Sequence, residues 1–159
     1  MSRAFTKEDS QHEGVMVVAR APLPDDVENL VTTRGLALLQ AEETDMREEL
    51  ERLRTQSEQE RRVAELDGAL DELQFRLARA VVVDPATNDK SLVRFGDLVT
   101  VEPAGRGARF ELTIVGVDEA DPEEGLVSFL APVAQQLLGL AVGQVTEGEG
   151  RSLRVVRIV

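Results

Sequence analysis

The chain has 159 residues, enough for one or two small domains, and its 42% hydrophobic content can supply a buried core. A formal net charge of −12, from 18 basic and 30 acidic side chains, argues against a protein that coats duplex DNA, because phosphate binding depends on clustered cations. No cysteine is present, which excludes disulfides and thiolate metal sites. The longest apolar run near the start, residues 15–19, is too short to span a bilayer, so we expect a cytoplasmic protein with no membrane partner.

Residues 1–31 are predicted to be a flexible tail and linker. A short β-prone patch at 15–18 is followed by Pro22 and Pro24, which disfavour helix and sheet alike. His12 is the single histidine, and no ligand set or nucleophile surrounds it in the sequence. We therefore interpret His12 as a surface residue.

Residues 32–80 are predicted to form an antiparallel coiled-coil hairpin. Apolar residues recur in two arms at alternating spacings of three and four, as a coiled-coil seam requires. The two sets pair in one register, which centres the reversal on Glu58. The seam positions are Leu36, Leu39, Glu43, Met46, Leu50 and Leu53 in the first arm, and Val63, Leu66, Leu70, Leu73, Leu77 and Ala80 in the second.

Charged residues flank this seam, and a short polar segment joins its arms. The register places Glu42 opposite Arg76 and Arg47 opposite Asp67, which are complementary pairs between helices. Each arm is about 26 Å long at the helical rise per residue. The candidate tip residues are Ser57, Glu58, Gln59 and Glu60.

From about residue 81 the hydrophobic period changes to two, which predicts strands. A single short helix is expected from Pro132, where proline is tolerated, to the stop at Gly139. The resulting order β-β-β-α-β-β predicts a compact α+β domain over 81–159, with an antiparallel sheet around one helix. The predicted strands are 93–101, 110–114, 126–130, 144–146 and 153–158.

Four sequence blocks of this C-terminal part resemble the bacterial GreA/GreB transcription elongation factors, and the beginning of the chain resembles the GreB branch. The resemblance implies an FKBP-like domain that docks on RNA polymerase at the rim of the secondary channel. It also implies that the hairpin enters the channel, where acidic tip residues of the family help to hold a catalytic magnesium. The blocks are VRFGDLV (93–99), IVGVDEAD (114–121), APVAQQLLG (131–139) and VGQV (142–145), with MSRAF (1–5) and NLVTTRG (29–35).

The hairpin departs from the family pattern at its tip. It is shorter than in the cleavage factors of the family, and the acidic motif with Asp, Asn and Glu is missing between Arg54 and Arg62. No catalytic or metal-binding residue is therefore carried over, and no cofactor is expected. The polymerase-binding residues that the resemblance implies are Asp118, Glu119, Asp121, Leu130, Ala131 and Pro132.

The sequence favours a monomeric elongation regulator that binds RNA polymerase and reaches nucleic acid only through it, without strong transcript cleavage. One alternative is an active cleavage factor that uses Glu58 or Glu60. Another is an FKBP-like prolyl isomerase or chaperone, although the domain offers only Phe95, Phe110 and Phe129 as aromatic walls. The third is a self-associating structural module. No motif of an independent enzyme active site is visible.

Overall fold

The computed structural model describes residues 14–148 and 150–159. Predictions made for residues 1–13, including a surface position for His12, lie outside the described residues. The chain is an α+β protein with a helical hairpin and a β-sheet domain, as predicted. Its elements are β1 (Asn29–Thr32), α1 (Thr33–Arg54), α2 (Glu60–Ala78), β2 (Ala80–Val83), β3 (Leu98–Pro103), β4 (Phe110–Val115), β5 (Leu126–Ser128), α3 (Pro132–Leu137) and β6 (Leu153–Ile158).

Helices α1 and α2 bury the predicted seam against each other. All apolar seam residues belong to one hydrophobic cluster, in which Leu66 and Leu73 are fully buried, and Glu43 is the polar exception. The helices pack because residues spaced by three and four share one face. At the start of α1 the side-chain oxygen of Thr32 accepts the N–H of Gly35 at 2.9 Å. The helical hairpin is confirmed, and the supercoiling of a coiled coil stays a prediction.

The chain reverses in the turn 55–59, at the predicted place. Glu58 has a φ of 70°, the left-handed region that a residue with a Cβ adopts at a cost of about 1–2 kcal/mol. Burial of the seam on both sides outweighs that cost. Helix packing, rather than the preference of the turn residue, therefore sets the position of the reversal.

The predicted pair between Arg47 and Asp67 is wrong. Arg47 binds Glu43 of its own helix at 2.8 Å, and Asp67 binds Arg54 at 3.2 Å. A partner four residues away on the same helix is already within reach, so Arg47 does not need to cross to α2.

The β-sheet domain has the strand order β5-β4-β3-β6. β3 is antiparallel to β4 and to β6, whereas β4 and β5 are parallel. The prediction of an antiparallel sheet is therefore wrong for the β4–β5 pair. The loop 116–125 carries the chain back along β4, so that Leu126 pairs with Thr113 and β5 runs in the same direction as β4. The inner face of the sheet packs on Ala134 and Leu137 of α3. The FKBP-like assignment of this domain stays a prediction.

Strands β4, β5 and β6 overlap the predicted segments 110–114, 126–130 and 153–158, and α3 begins at Pro132 as expected. The segment 144–146 is reduced to one bridge between residues 145 and 154.

The strand predicted over 93–101 is present only from Leu98. Val93 and Phe95 are buried in the loop before it. Gly96 has a φ of 87°, which interrupts the extended backbone between them and the strand. The alternation of Val93 and Phe95 with polar residues therefore predicts a strand from the sequence, although the chain turns there.

Residues 14–31, predicted to be part of a flexible tail and linker, contact both the hairpin and the sheet domain. Residues 14–28, here called the strap, lie along the hairpin and against the sheet domain, with Val15 on the hairpin core and Leu23 and Val27 on the sheet core. Next in the chain, β1 pairs in parallel with β2. Since β1 precedes the hairpin and β2 follows it, this pair closes the base of the hairpin across both predicted domain boundaries.

Candidate functional site

The hairpin tip exposes carboxylates to solvent. Ser57, Glu58 and Glu60 are exposed, and Gln59 is half-buried. Neither Glu58 nor Glu60 has a hydrogen bond or ion pair from its side chain to another described residue. Glu60 is also the first residue of α2, where the helix dipole stabilises a negative charge.

The arginines around the tip are occupied by other carboxylates of the hairpin. The hydrogen bonds that the Arg52 guanidinium donates to the Glu49 carboxylate raise the pKa of Arg52 above its ordinary value. The four arginines are balanced by four carboxylates, those of Glu49, Glu51, Glu65 and Asp67, so Glu58 and Glu60 leave the tip negative. Two carboxylates could add to a magnesium site, but the remaining oxygen ligands must come from a partner or water. The arginine pairs are Arg52–Glu49 at 2.6 Å, Arg54–Asp67 at 3.2 Å, Arg61–Glu65 at 3.1 Å and Arg62–Glu65 at 3.7 Å.

Asp118, a predicted polymerase-binding residue, is engaged inside the chain. Its carboxylate binds Arg20 of the strap at 3.3 Å and Arg76 of α2 at 3.1 Å, and only 7% of its side chain is exposed. Arg20 also binds Glu42 of α1 at 2.6 Å. The predicted pair between Glu42 and Arg76 is therefore wrong, because each residue has a closer partner outside the hairpin. We call Arg20, Glu42, Arg76 and Asp118 the junction cluster.

Glu119, also predicted to bind polymerase, is engaged at the start of α1. It accepts hydrogen bonds from the Thr32 hydroxyl and, at 3.0 Å, from Arg34. A Cβ at Gly35 would lie 2.6 Å from the Glu119 carboxylate, so a larger residue there would force that carboxylate to shift. The geometry thus gives Asp118 and Glu119 the internal task of holding the hairpin base to the sheet domain.

The other predicted polymerase-binding residues lie at two ends of β5. Asp121 is exposed and accepts the N–H of Glu123 at 3.1 Å, which caps a single 3₁₀ turn. Beyond β5, Leu130 and Ala131 are half-buried and Pro132 is exposed at the first turn of α3. The strand between them separates these positions by roughly 10 Å. Their role in partner binding stays a prediction.

A cavity of about 350 Å³ lies at the base of the hairpin. Its lining contains no aromatic side chain and includes Thr33, Arg34, Pro85, Glu119 and Leu126. Phe95 and Phe129 instead pack edge-to-face in the sheet core with ring centroids 5.7 Å apart. This arrangement lacks the aromatic walls that a proline-binding pocket needs.

Sequence reasoning missed Arg20 and the buried position of Arg76. Arg20 stands in a segment without periodicity, so no pattern indicates that it is ordered. Arg76 was expected to pair with Glu42 inside the hairpin, and no local pattern pointed to its bond with Asp118 in a distant loop.

Comparison with known proteins relates the chain to transcription factors. Residues 88–159 match the family model described as the C-terminal part of transcription elongation factor GreA/GreB. The chain is 40% identical over 92 residues to transcription elongation factor GreA of Nautilia profundicola, covering 58% of this chain and 52% of that protein. It is 36% identical over 123 residues to GreA of a Roseiflexus species, covering 76% and 77%. The chain belongs to the GreA/GreB family.

This GreA/GreB family member spans about half the length of several of its relatives, among them the Nautilia protein. Among solved structures it is similar to a GreA/GreB factor from Nitrosomonas europaea, with 26% identity, coverage of 82% and 98%, and a TM-score of 0.41. It is also similar to GreA factor homolog 1 of Thermus thermophilus, with 22% identity, coverage of 84% and 99%, and a TM-score of 0.39.

The family model begins at residue 88, so the match does not include the hairpin of this GreA/GreB member. Within the described ranges no group of three or more His, Asp or Glu residues could hold a metal ion. Nor is any described helix long and apolar enough to cross a membrane.

Proposed function

We propose that the chain is a transcription elongation regulator that binds bacterial RNA polymerase through its sheet domain and places the hairpin tip in the secondary channel. Membership in the GreA/GreB family supports the partner. The observation that carries the proposal is a projecting hairpin whose exposed tip keeps the unpaired carboxylates Glu58 and Glu60 while the arginines near it are neutralised. Such a regulator works in the cytoplasm and meets nucleic acid only through the polymerase.

The proposed regulator does not strongly stimulate transcript cleavage. Stimulation requires carboxylates placed to within about 1 Å at the polymerase magnesium, since larger errors cost about 10²-fold in rate. Helix α1 has 22 residues and is therefore about 33 Å long. Its base is held on the sheet domain, so this length limits how far the tip carboxylates can extend. The tip also lacks the family's acidic motif. Glu58 and Glu60 then act by their charge and by occupying the channel.

We further propose that the protein acts as a monomer. The seam that could join two copies is buried between α1 and α2 of one chain. Light scattering should therefore give a mass that does not change with concentration.

The proposal is tested with core RNA polymerase and stalled elongation complexes. The purified chain should bind the polymerase and change elongation or pausing while adding little cleavage. Glu58→Gln/Glu60→Gln should weaken that effect and keep binding. Glu48→Gln is the control, because Glu48 is an exposed carboxylate on the shaft of the hairpin. No binding by the wild-type chain would refute the proposal.

The second candidate is an active cleavage factor, which the exposure of both tip carboxylates favours. It predicts strong magnesium-dependent cleavage by the wild-type chain that Glu58→Gln/Glu60→Gln abolishes and Glu48→Gln leaves intact. That result would show that the chain is a cleavage factor with a short hairpin, and not a regulator without cleavage. No observation favours a prolyl isomerase, since the cavity at the hairpin base has no aromatic lining.

A further inference from the structure

We infer that the strap, residues 14–28, fixes the direction of the hairpin relative to the sheet domain, with Arg20 and Arg76 as the positioning residues. The inference concerns the geometry of the free protein and does not depend on the proposed function.

The strap touches the hairpin near its tip and the sheet domain near its base. At one end Val15 packs on the hairpin core, and its carbonyl oxygen accepts a hydrogen bond from Arg62, two residues into α2. At the other end Leu23 and Val27 pack on the core of the sheet domain. One short segment thus spans most of the hairpin and is anchored in both hydrophobic cores.

Side chains of α2 bind the strap backbone along this path. Besides the Arg62 contact, Arg76 donates to the carbonyl of Ala21, and Arg79 donates to the carbonyl of Asp25 at 2.8 Å. Carbonyl oxygens accept hydrogen bonds whatever side chain the residue carries, so this attachment leaves no signature in the strap sequence. Rotation of α2 against the strap would break all of these bonds.

The junction cluster ties the strap to both helices and to the loop after β4. Arg20 lies between Glu42 of α1 and Asp118, and Asp118 also binds Arg76 of α2. The side chains of Arg20 and Arg76 are each 9% exposed. A charge buried to this degree is strongly unfavourable without its partner, so the cluster resists separation of any one element from the others.

Without the strap, the hairpin would be held at its base by the β1–β2 pair, by Glu119 and by the bond between Arg76 and Asp118. An arm of about 33 Å turns a rotation of about 10° at the base into a displacement of about 6 Å at the tip. A second attachment along the shaft removes that freedom. The strap therefore determines where the tip lies.

The test measures the distance between the tip and the sheet domain by double electron–electron resonance. The chain has no cysteine, so Ser57→Cys and Arg157→Cys give two unique spin-label sites at exposed positions. The parent should give one narrow distance distribution. Arg20→Ala, and deletion of residues 1–22, should broaden or shift it. Arg106→Ala is the matched control, because Arg106 is exposed and lies in the β3–β4 turn, away from the strap.

Circular dichroism establishes that each variant is folded before its distances are compared. If Arg20→Ala does not fold, Glu42→Gln replaces it, since this side chain is 39% exposed and its loss weakens only the bond from Arg20 to α1. Broadening in Glu42→Gln supports the inference. An unchanged narrow distribution in the folded strap variants would overturn it, even where their melting temperature is lower.

Discussion

At the scale of single residues, the two helical glycines of the hairpin have opposite surroundings. A Cβ on Gly35 would lie 2.6 Å from the Glu119 carboxylate and 3.3 Å from the Thr32 oxygen. A Cβ on Gly68 would meet no atom within 4 Å. The same substitution should therefore have opposite effects at the two positions.

Gly68→Ala should stabilise the protein by about 1 kcal/mol, the usual helix preference of alanine over glycine. Gly35→Ala should instead destabilise it by about 1 kcal/mol, because crowding costs of about 1–3 kcal/mol exceed that preference. Urea denaturation of both variants beside the parent measures the difference. Stabilisation by Gly35→Ala would mean that Glu119 moves aside without losing its bonds to Thr32 and Arg34.

The sequence carried information on Asp118 and Glu119 but not on their partners. Both residues follow a strand and lie in a block shared with the family, which suggested that they bind a partner. Their bonds join residues that are far apart in sequence. Arg76 and Asp118 are separated by 42 positions, and Arg20 and Asp118 by 98. Contacts of that range depend on the folded arrangement, which a local pattern does not contain.

At the scale of elements, the hairpin was predictable because its periodicity is local and regular. The strap and the β1–β2 pair were not. The strap has no repeating pattern, and it is held by arginine side chains on its carbonyls. β1 and β2 are short strands on opposite sides of the hairpin in sequence, and residues 81–83 lack the alternation that marks a half-buried strand.

Glu43, the polar residue of the seam, should make hairpin stability depend on pH. A hydrogen bond from Arg47, and another from Gln74 of α2 at 3.2 Å, hold the pKa of Glu43 below its ordinary value of 4.5. A carboxylate with a lowered folded-state pKa adds stability that is complete above its unfolded pKa and is lost as the pH falls through the folded value.

Glu43→Gln should therefore show less loss of stability on acidification than the parent. The measurement compares urea midpoints near neutrality and at about pH 3, below the ordinary carboxyl pKa. Glu48→Gln, at an exposed site of the same helix, serves as the control and should follow the parent. Identical acid dependence of parent and Glu43→Gln would show that the bonds from Arg47 and Gln74 do not affect stability.

At the scale of the whole molecule, two hydrophobic cores are joined partly by polar contacts. The hairpin core is built from seam residues, and the sheet core lies between α3 and the strands. The junction cluster connects the strap, both helices and the sheet domain. Cooperative unfolding of the chain should therefore depend on Asp118, the carboxylate that both buried arginines share.

Asp118→Asn should uncouple the two cores, because it leaves Arg20 and Arg76 without a shared counter-charge. Removing one partner of a buried ion pair costs about 3–5 kcal/mol. Helix melting, followed by far-UV circular dichroism, should then precede the main calorimetric transition, whereas the two coincide in the parent. Asp121→Asn is the control in the same loop, since Asp121 is exposed and asparagine caps a helical turn as well as aspartate does. Coincident melting in Asp118→Asn would mean that the apolar contacts of the strap and β1 alone couple the hairpin to the sheet.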